Sequence, residues 1–214
     1  MPTLTTGALA QKVADALPKL SASEQGIALG LYRLLAEGEP VSPDRLAQHL
    51  DLSKSLVREA LNSWPAVYFD DEKNVVGFWG LAVQETPHRL KVNGRQLYAW
   101  CAWDSLLIPK VLGKTAEVES SCPISGEIIS LTVGPTGVEN FSPDGAVVSF
   151  LSPTTSFDMN IIASFCHYVL FFSSEASGNK WITNHKDTFL LTLDEAHEIG
   201  RLTNKATFGA ALTD

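Results

Sequence analysis

The chain has 214 residues, of which 45% are hydrophobic and 19% are charged. This length and composition are typical of a globular protein with a buried core, built as one large domain or as a small domain joined to a larger one. The formal net charge of −8 argues against nucleic acid or an anionic membrane as the main partner, because both are bound by basic surfaces.

The sequence also predicts the compartment. Its longest apolar candidate segment, residues 163–172, is too short to span a bilayer and is interrupted by Ser164, His167 and Tyr168. The first six residues lack the basic and apolar segments of a signal peptide. Three cysteines are too few, and odd in number, for a disulfide scaffold. We therefore expect a cytoplasmic protein whose thiols are free.

Residues 1–80 have the pattern of a winged helix-turn-helix module. Helix caps and apolar spacing predict helices within residues 9–17, 21–37, 42–50 and 51–61. Ser42 is placed to cap the third helix, with Pro43 in its first position. Two strands are predicted at residues 66–69 and 75–79, and the polar run 70–74 between them reads as the wing turn.

Charge tests whether this module binds DNA. Residues 1–64 hold six basic and seven acidic side chains, and the predicted recognition helix carries only Lys54 and Arg58. A module that binds duplex DNA through its phosphates is normally basic. We interpret the module as a packing element that roofs the second domain, while a winged-helix transcription regulator remains an alternative.

Residues 81–214 are predicted to form a mixed α/β domain with mostly antiparallel strands, so that the whole chain is α+β. The dipeptide Asn93–Gly94 indicates a tight hairpin turn. Strands are predicted at residues 81–83, 88–92, 95–98, 116–119, 127–133, 146–151, 168–172 and 189–193. Helices are predicted at residues 99–112 and 181–185, a short helix or a turn is predicted at residues 158–163, and a last helix is predicted to be capped by Asp194.

Candidate chemistry lies in the segment around Cys101 and Asp104. The two residues are three apart, so on the predicted helix they share a face. The helix start should lower the pKa of Cys101, and a nearby thiolate together with partial burial should raise that of Asp104. If the fold brought Cys166 to them, two thiols and a carboxyl would bind a soft metal. Either cysteine could instead be a small buried core residue.

Residues 95–109, RQLYAWCAWDSLLIP, closely resemble the active-site segment of organomercurial lyases (alkylmercury lyases). The segments TAEV (115–118), SLTV (130–133) and SFCH (164–167) follow in the family's order, and the likeness extends over about residues 25–200. This resemblance implies protonolytic cleavage of carbon–mercury bonds in mercury detoxification. It implies Cys101, Asp104 and Cys166 as catalytic residues that also hold the Hg(II) product.

The resemblance further implies that no organic cofactor is needed and that low-molecular-weight thiols serve the reaction. A mercuric reductase is implied as the acceptor of the product. Cys122 resembles a family cysteine that is usually taken as structural, and His167 stands near the point where some members carry a further cysteine. The aromatic residues Trp100, Trp103, Phe165 and Tyr168 are predicted to form the wall of the pocket, with ordinary core packing as the alternative.

A competing function is a soft-metal chaperone or sensor, holding Hg(II) or Cu(I) on the same scaffold without chemistry. A pure carrier gains little from a carboxyl, because soft ions prefer sulfur. Asp104 is therefore the residue that separates the two functions: a lyase needs it for turnover, and a carrier does not.

Overall fold

The computed structural model describes residues 5–212, and it begins with the predicted helical module. The helices are α1 (Thr6–Ala16), α2 (Ala22–Leu35), α3 (Pro43–Leu50) and α4 (Lys54–Ser63). Each begins after a hydroxyl side chain that accepts a backbone N–H bond: Thr5, Ser21, Ser42 and Ser53. These caps satisfy N–H groups that the first helical turn leaves free, which is why the local sequence predicts the starts well.

The predicted wing is also present. Strands β1 (Val67–Phe69), β2 (Val75–Phe78) and β3 (Leu81–Ala82) pair antiparallel in chain order. The two cations of α4 face the preceding helix, where Lys54 and Arg58 both form ion pairs with Asp44, at 2.6 and 2.8 Å. These pairs are exposed to solvent and weakly stabilising, but they offset the positive charge of the helix that would enter a DNA groove.

The wing strands continue into a larger sheet of the following residues. That sheet adds β4 (His88–Val92), β5 (Arg95–Ala99), β6 (Ala116–Ser121), β7 (Ile128–Gly134) and β8 (Gly137–Ser142). Its order is β1-β2-β3-β5-β4-β6-β7-β8, with antiparallel neighbours throughout the part of the chain that is described. The sheet thus runs across residue 80, and the division into modules 1–80 and 81–214 stays a prediction.

A second sheet has the order β10-β9-β11, formed by β9 (Val147–Leu151), β10 (Phe171–Phe172) and β11 (Thr188–Thr192). The remaining helices are α5 (Ala102–Leu112), α6 (Ile161–Ser164), α7 (Glu175–Ile182) and α8 (Leu193–Phe208), with 3₁₀ turns at Cys166–Tyr168 and Gly209–Ala211. The α+β class with mostly antiparallel strands is therefore confirmed.

Helix α5 is a buried helix that packs against elements from both parts of the chain. All of its residues are buried except Lys110 and Leu112, as expected of a helix that is apolar on nearly every face. It contacts α8 and the large sheet from the second part of the chain, and α2 from the first part. Helix α1 packs on α8 in turn. Helices α1 and α2 of the N-terminal module therefore pack on α8 and α5, next to the candidate site.

Several predicted boundaries were wrong for identifiable reasons. Helix α5 begins at Ala102 and not at residue 99, because Ala99 still pairs with Leu81 and His88 in the sheet. Helix α8 is capped by Thr192 and not by Asp194, since Thr192 and Glu195 form a capping box.

Other differences lie in the second sheet and beside it. The strand predicted at residues 168–172 is reduced to Phe171–Phe172. The Ser149 hydroxyl accepts a hydrogen bond from the N–H of Leu170 and donates one to the carbonyl of Tyr168, so these groups do not pair in the sheet. Helix α7 covers Glu175–Ile182, capped by Ser174, so it begins earlier than the predicted residues 181–185. Strand β8 was not predicted, since its mostly exposed residues lack an apolar alternation.

Among the described residues, no helix is both long and apolar enough to cross a membrane. The expectation that the chain begins without a signal peptide falls mainly on residues 1–4, which lie outside the described part.

Candidate active site

Cys101 and Asp104 are brought together by the junction between β5 and α5. Cys101 is the N-cap residue of α5, and Asp104 occupies the third helical position. The backbone N–H of Cys101 donates to Oδ2 of Asp104 at 3.0 Å, the contact made in a capping box. The three-residue spacing therefore predicted correctly that Cys101 and Asp104 are neighbours, although Cys101 precedes the helix and does not lie within it.

Cys166 reaches this junction from a distant part of the chain. It begins the 3₁₀ turn that precedes β10, and the carbonyl of Val169 just beyond that turn accepts the N–H of Ala102 at 3.0 Å. This bond ties the turn to the first residue of α5. The two sulfurs and a carboxylate oxygen of Asp104 consequently lie within 4.8 Å of one another. The structure thus brings together all three residues predicted from the sequence.

The three groups are almost completely withdrawn from water: the exposed fractions are 0% for Cys101, 3% for Cys166 and 7% for Asp104. Burial raises the pKa of Cys101 well above its ordinary value, and the hydrogen bond with Cys166 raises it further. The prediction that the helix start lowers this pKa is therefore wrong. The dipole of an eleven-residue helix is outweighed by the cost of placing a charge where no water reaches it.

The pKa of Cys166 is also raised, though by a balance of causes. Its hydrogen bond with Cys101 lowers the pKa, while burial and the negative charge of Asp104 raise it more. Burial likewise raises the pKa of Asp104 to about 6, against hydrogen bonds from the side chain and backbone of Cys101 that lower it. The pKa of Asp104 is raised as predicted, but burial is the cause, and the predicted repulsion by a nearby thiolate does not contribute. Near neutral pH this site can hold and release a proton at little cost.

The raised pKa of Asp104 predicts a pH-dependent stability. Below the unfolded-state pKa near 3.8 both states hold the proton, whereas between that value and about 6 only the folded state does. The free energy of unfolding should therefore fall as pH rises through this window, by about 3 kcal/mol, and the loss remains at higher pH. Asp104→Asn should remove this loss. Urea unfolding of both proteins across the window measures the difference, and a difference that is constant with pH would contradict the assignment.

A narrow cavity opens beside the three groups, with an empty volume of about 630 Å³ when its mouth is included. Asp104 and Cys166 line it directly. Trp100, Trp103 and Phe165 line it too, as predicted. Tyr168 was wrongly placed in this wall: its ring packs instead against Trp181 and His185, at centroid distances of 6.5 and 6.2 Å. The 3₁₀ turn after Phe165 sets this direction, which the sequence pattern does not reveal.

Much of the cavity wall was missed by sequence analysis because it comes from the N-terminal module. Val13 and Leu17 from α1 and its end, and Tyr32 from α2, line the cavity. Trp79 and Gly80, in the turn between β2 and β3, complete this side. The interpretation of the module as a roof over the second domain agrees with these contacts. The sequence signal for the turn was a Trp–Gly pair between two apolar strands. Nothing in the sequence marked Tyr32 as a residue of the cavity wall.

Cys122 lies apart from this cluster, at the β6–β7 turn. Burial raises its pKa, but hydrogen bonds from the Ser125 hydroxyl and from the backbone N–H groups of Ser173, Ser125 and Ile124 outweigh burial and lower it to about 7. The turn is closed by a bond from Cys122 N–H to the Glu127 carbonyl. These contacts agree with a structural residue. His167 is exposed and lies edge-on to Tyr168 at 5.2 Å.

Two buried thiols beside a carboxyl offer a set of ligands that could hold a soft metal ion. The alkylmercury lyase family matches residues 81–204, and the family described as the helix-turn-helix domain of alkylmercury lyase matches residues 8–79. The chain belongs to the alkylmercury lyase family.

Individual relatives agree with this assignment. An alkylmercury lyase of Pseudomonas putida is 38% identical over 194 residues, which are 90% of each chain. Those of Staphylococcus epidermidis and Bacillus cereus are 37% and 39% identical, each over 80% of this chain and 78% of the relative. The crystal structure of the mercury-bound form of MerB2 has the same fold, with a TM-score of 0.77 and 24% identity, covering 93% of this chain and 98% of that one.

Proposed function

We propose that Cys101, Cys166 and Asp104 perform the reaction of this alkylmercury lyase, the cleavage of the carbon–mercury bond of an organomercurial in mercury detoxification. The convergence of the two sulfurs and the carboxyl beside one narrow, largely apolar cavity is the observation that carries the assignment. The lyase activity itself follows from family membership. The roles of the residues are inferred from their chemistry.

The reaction requires a metal-binding sulfur, a second sulfur and a proton. In a substrate R–Hg–X, one thiol replaces X, and HX leaves. The proton of the second thiol then passes to the Asp104 carboxylate, so that both sulfurs bind mercury. Asp104 delivers that proton to the carbon as the carbon–mercury bond breaks, giving R–H. Mercury(II) remains between Cys101 and Cys166, with Asp104 beside it.

Each step uses a property of the site. A carbanion is too basic to leave unprotonated, so proton delivery must accompany bond cleavage. Sulfur bonds to mercury offset the bond to carbon that is lost, since thiolates suit soft metals. A carboxyl with a pKa of about 6 exchanges protons readily near neutral pH. The aromatic side chains of Trp100, Trp103 and Phe165 offer an apolar surface for the organic group. No step requires an organic cofactor.

The product leaves the site with difficulty, because mercury held by two buried sulfurs has no water to take their place. We propose that low-molecular-weight thiols deliver the substrate and carry the product away, and that a mercuric reductase accepts it. Such thiols are abundant in a reducing compartment, and the three free cysteines of this chain suit the same setting. The cytoplasm is the compartment that we propose.

The competing carrier function has less support from the site. A carrier needs only the two sulfurs, yet Asp104 is held with them in the buried cluster at the cost of a raised pKa. A DNA-binding regulator also has little support, because Lys54 and Arg58 are both paired with Asp44.

Benzene release from phenylmercury tests the proposal. Without added thiol, we expect about one benzene per chain, since the retained Hg(II) blocks the two sulfurs. With excess thiol the release should continue over many turnovers. Gas chromatography measures the benzene, and heat-denatured protein serves as the control. Stoichiometric mercury binding with no benzene under either condition would favour the carrier.

A further inference from the structure

The turn between β2 and β3 has an unusual backbone. Trp79 and Gly80 both have positive φ angles, of 35° and 95°. Two-residue hairpin turns of this kind favour Asn–Gly, as in the Asn93–Gly94 turn, with φ angles of 49° and 76°. A bulky residue such as Trp79 is rare in the left-handed region and persists there only when its surroundings hold it.

The Trp79–Gly80 turn is held by hydrogen bonds with three other segments. The buried hydroxyl of Tyr32, on α2, donates to the Trp79 carbonyl at 2.7 Å. The indole N–H of Trp79 donates to the carbonyl of Pro65 at 2.9 Å. The N–H of Trp100 donates to the carbonyl of Gly80 at 2.9 Å. The strained turn is thus fixed both to the N-terminal module and to the segment that precedes Cys101.

Gly80 of this turn packs directly against the side chain of Asp104. A Cβ atom on Gly80 would lie 2.4 Å from Oδ1 of Asp104 and 2.9 Å from its Cβ, so no side chain fits there. The other carboxylate oxygen, Oδ2, accepts the N–H of Cys101 at 3.0 Å. The carboxyl is therefore confined between the Gly80 backbone on one side and the N-cap of α5 on the other.

We propose that the Trp79–Gly80 turn, held by Tyr32, positions Asp104 for proton delivery, so that Gly80 and Tyr32 are positioning residues of the lyase. The N-terminal module then serves catalysis directly, because α2 supplies the hydroxyl that fixes the turn. This inference rests on the proposed function of Asp104 as the proton donor.

Gly80→Ala tests the contact, with Gly94→Ala as a matched control. Both glycines occupy the second position of a two-residue turn with positive φ, but a Cβ on Gly94 meets nothing within 4 Å. Both variants therefore bear a similar backbone strain, and only one displaces Asp104. We expect kcat for phenylmercury to fall about 100-fold in Gly80→Ala, because a misplacement of about 1 Å costs this much. Gly94→Ala should stay within about threefold of the wild type, since αL strain alone acts on stability.

The binding of Hg(II) separates positioning from collapse of the site. Gly80→Ala should still bind about one Hg(II) per chain in equilibrium dialysis, since both sulfurs remain. Tyr32→Phe keeps the ring and removes only the hydroxyl, and it should lower kcat about tenfold with KM little changed. Tyr98→Phe, at a half-buried position of β5 opposite Arg89, is its control. If Gly80→Ala does not fold, Tyr32→Phe against Tyr98→Phe decides the question.

Asp104→Ala distinguishes a failure of the positioning role from a failure of the proposed function. If Asp104→Ala is inactive but Gly80→Ala and Tyr32→Phe behave like their controls, the positioning role is overturned and the proposed function stands. If Asp104→Ala turns over like the wild type, the proposed function itself fails. A selective loss of kcat in Gly80→Ala and Tyr32→Phe, with mercury binding retained, supports the inference.

Discussion

Asp104→Ala is expected to stop hydrocarbon release while leaving mercury bound. The two sulfurs that hold the metal remain in place, and only the group that can pass a proton to carbon is lost. General acid catalysis contributes roughly 10²–10⁴-fold, and a carbanion leaving group places the expected loss at the upper end, about 10⁴-fold. Benzene release measured in a single turnover, together with the mercury content after dialysis, gives both quantities from one preparation.

Asp194→Ala is a suitable control for Asp104→Ala. Asp194 lies exposed in the first turn of α8, where its removal changes the charge by the same amount outside the buried site. It should retain wild-type turnover. Rapid benzene release from Asp104→Ala would mean that water or a thiol protonates the carbon, and the proposed role of Asp104 would be wrong.

Cys101→Ser and Cys166→Ser should each abolish both turnover and tight mercury retention. A hydroxyl is close to a thiol in size, so the buried site should keep its shape, but oxygen is a poor ligand for a soft ion. We expect turnover to fall at least about 10³-fold, as for the loss of a group that bonds to the reacting atom. Turnover with excess thiol and mercury retained after dialysis are the two measurements.

Cys122→Ser is the matched control among the cysteines, since it makes the same exchange at a buried thiol outside the cluster. It should keep turnover within about threefold and still retain one mercury per chain, because its hydrogen bonds can be made by a hydroxyl. Loss of turnover in Cys122→Ser alone, with Cys101→Ser or Cys166→Ser active, would contradict the assignment of the site.

Local features of the sequence determined much of the fold. Ser42 and Pro43 begin α3, and Asn93–Gly94 forms its predicted hairpin turn, because a cap or a tight turn depends on residues within four positions of one another. The closeness of Cys101 and Asp104 has the same local origin. The likeness of residues 95–109 to alkylmercury lyases pointed to the family that the comparisons show.

The tertiary structure decided what depends on distant segments. Cys166 is 65 residues beyond Cys101, and the bond from Ala102 to the Val169 carbonyl joins their segments. The pKa of Cys101 is raised because its neighbours come from across the fold and exclude water, which the position in a helix cannot predict. The contact of Gly80 with Asp104 arises likewise, when α2, the wing and α5 pack together. Caps and turns follow from the local backbone, whereas burial and convergence follow only from how the whole chain packs.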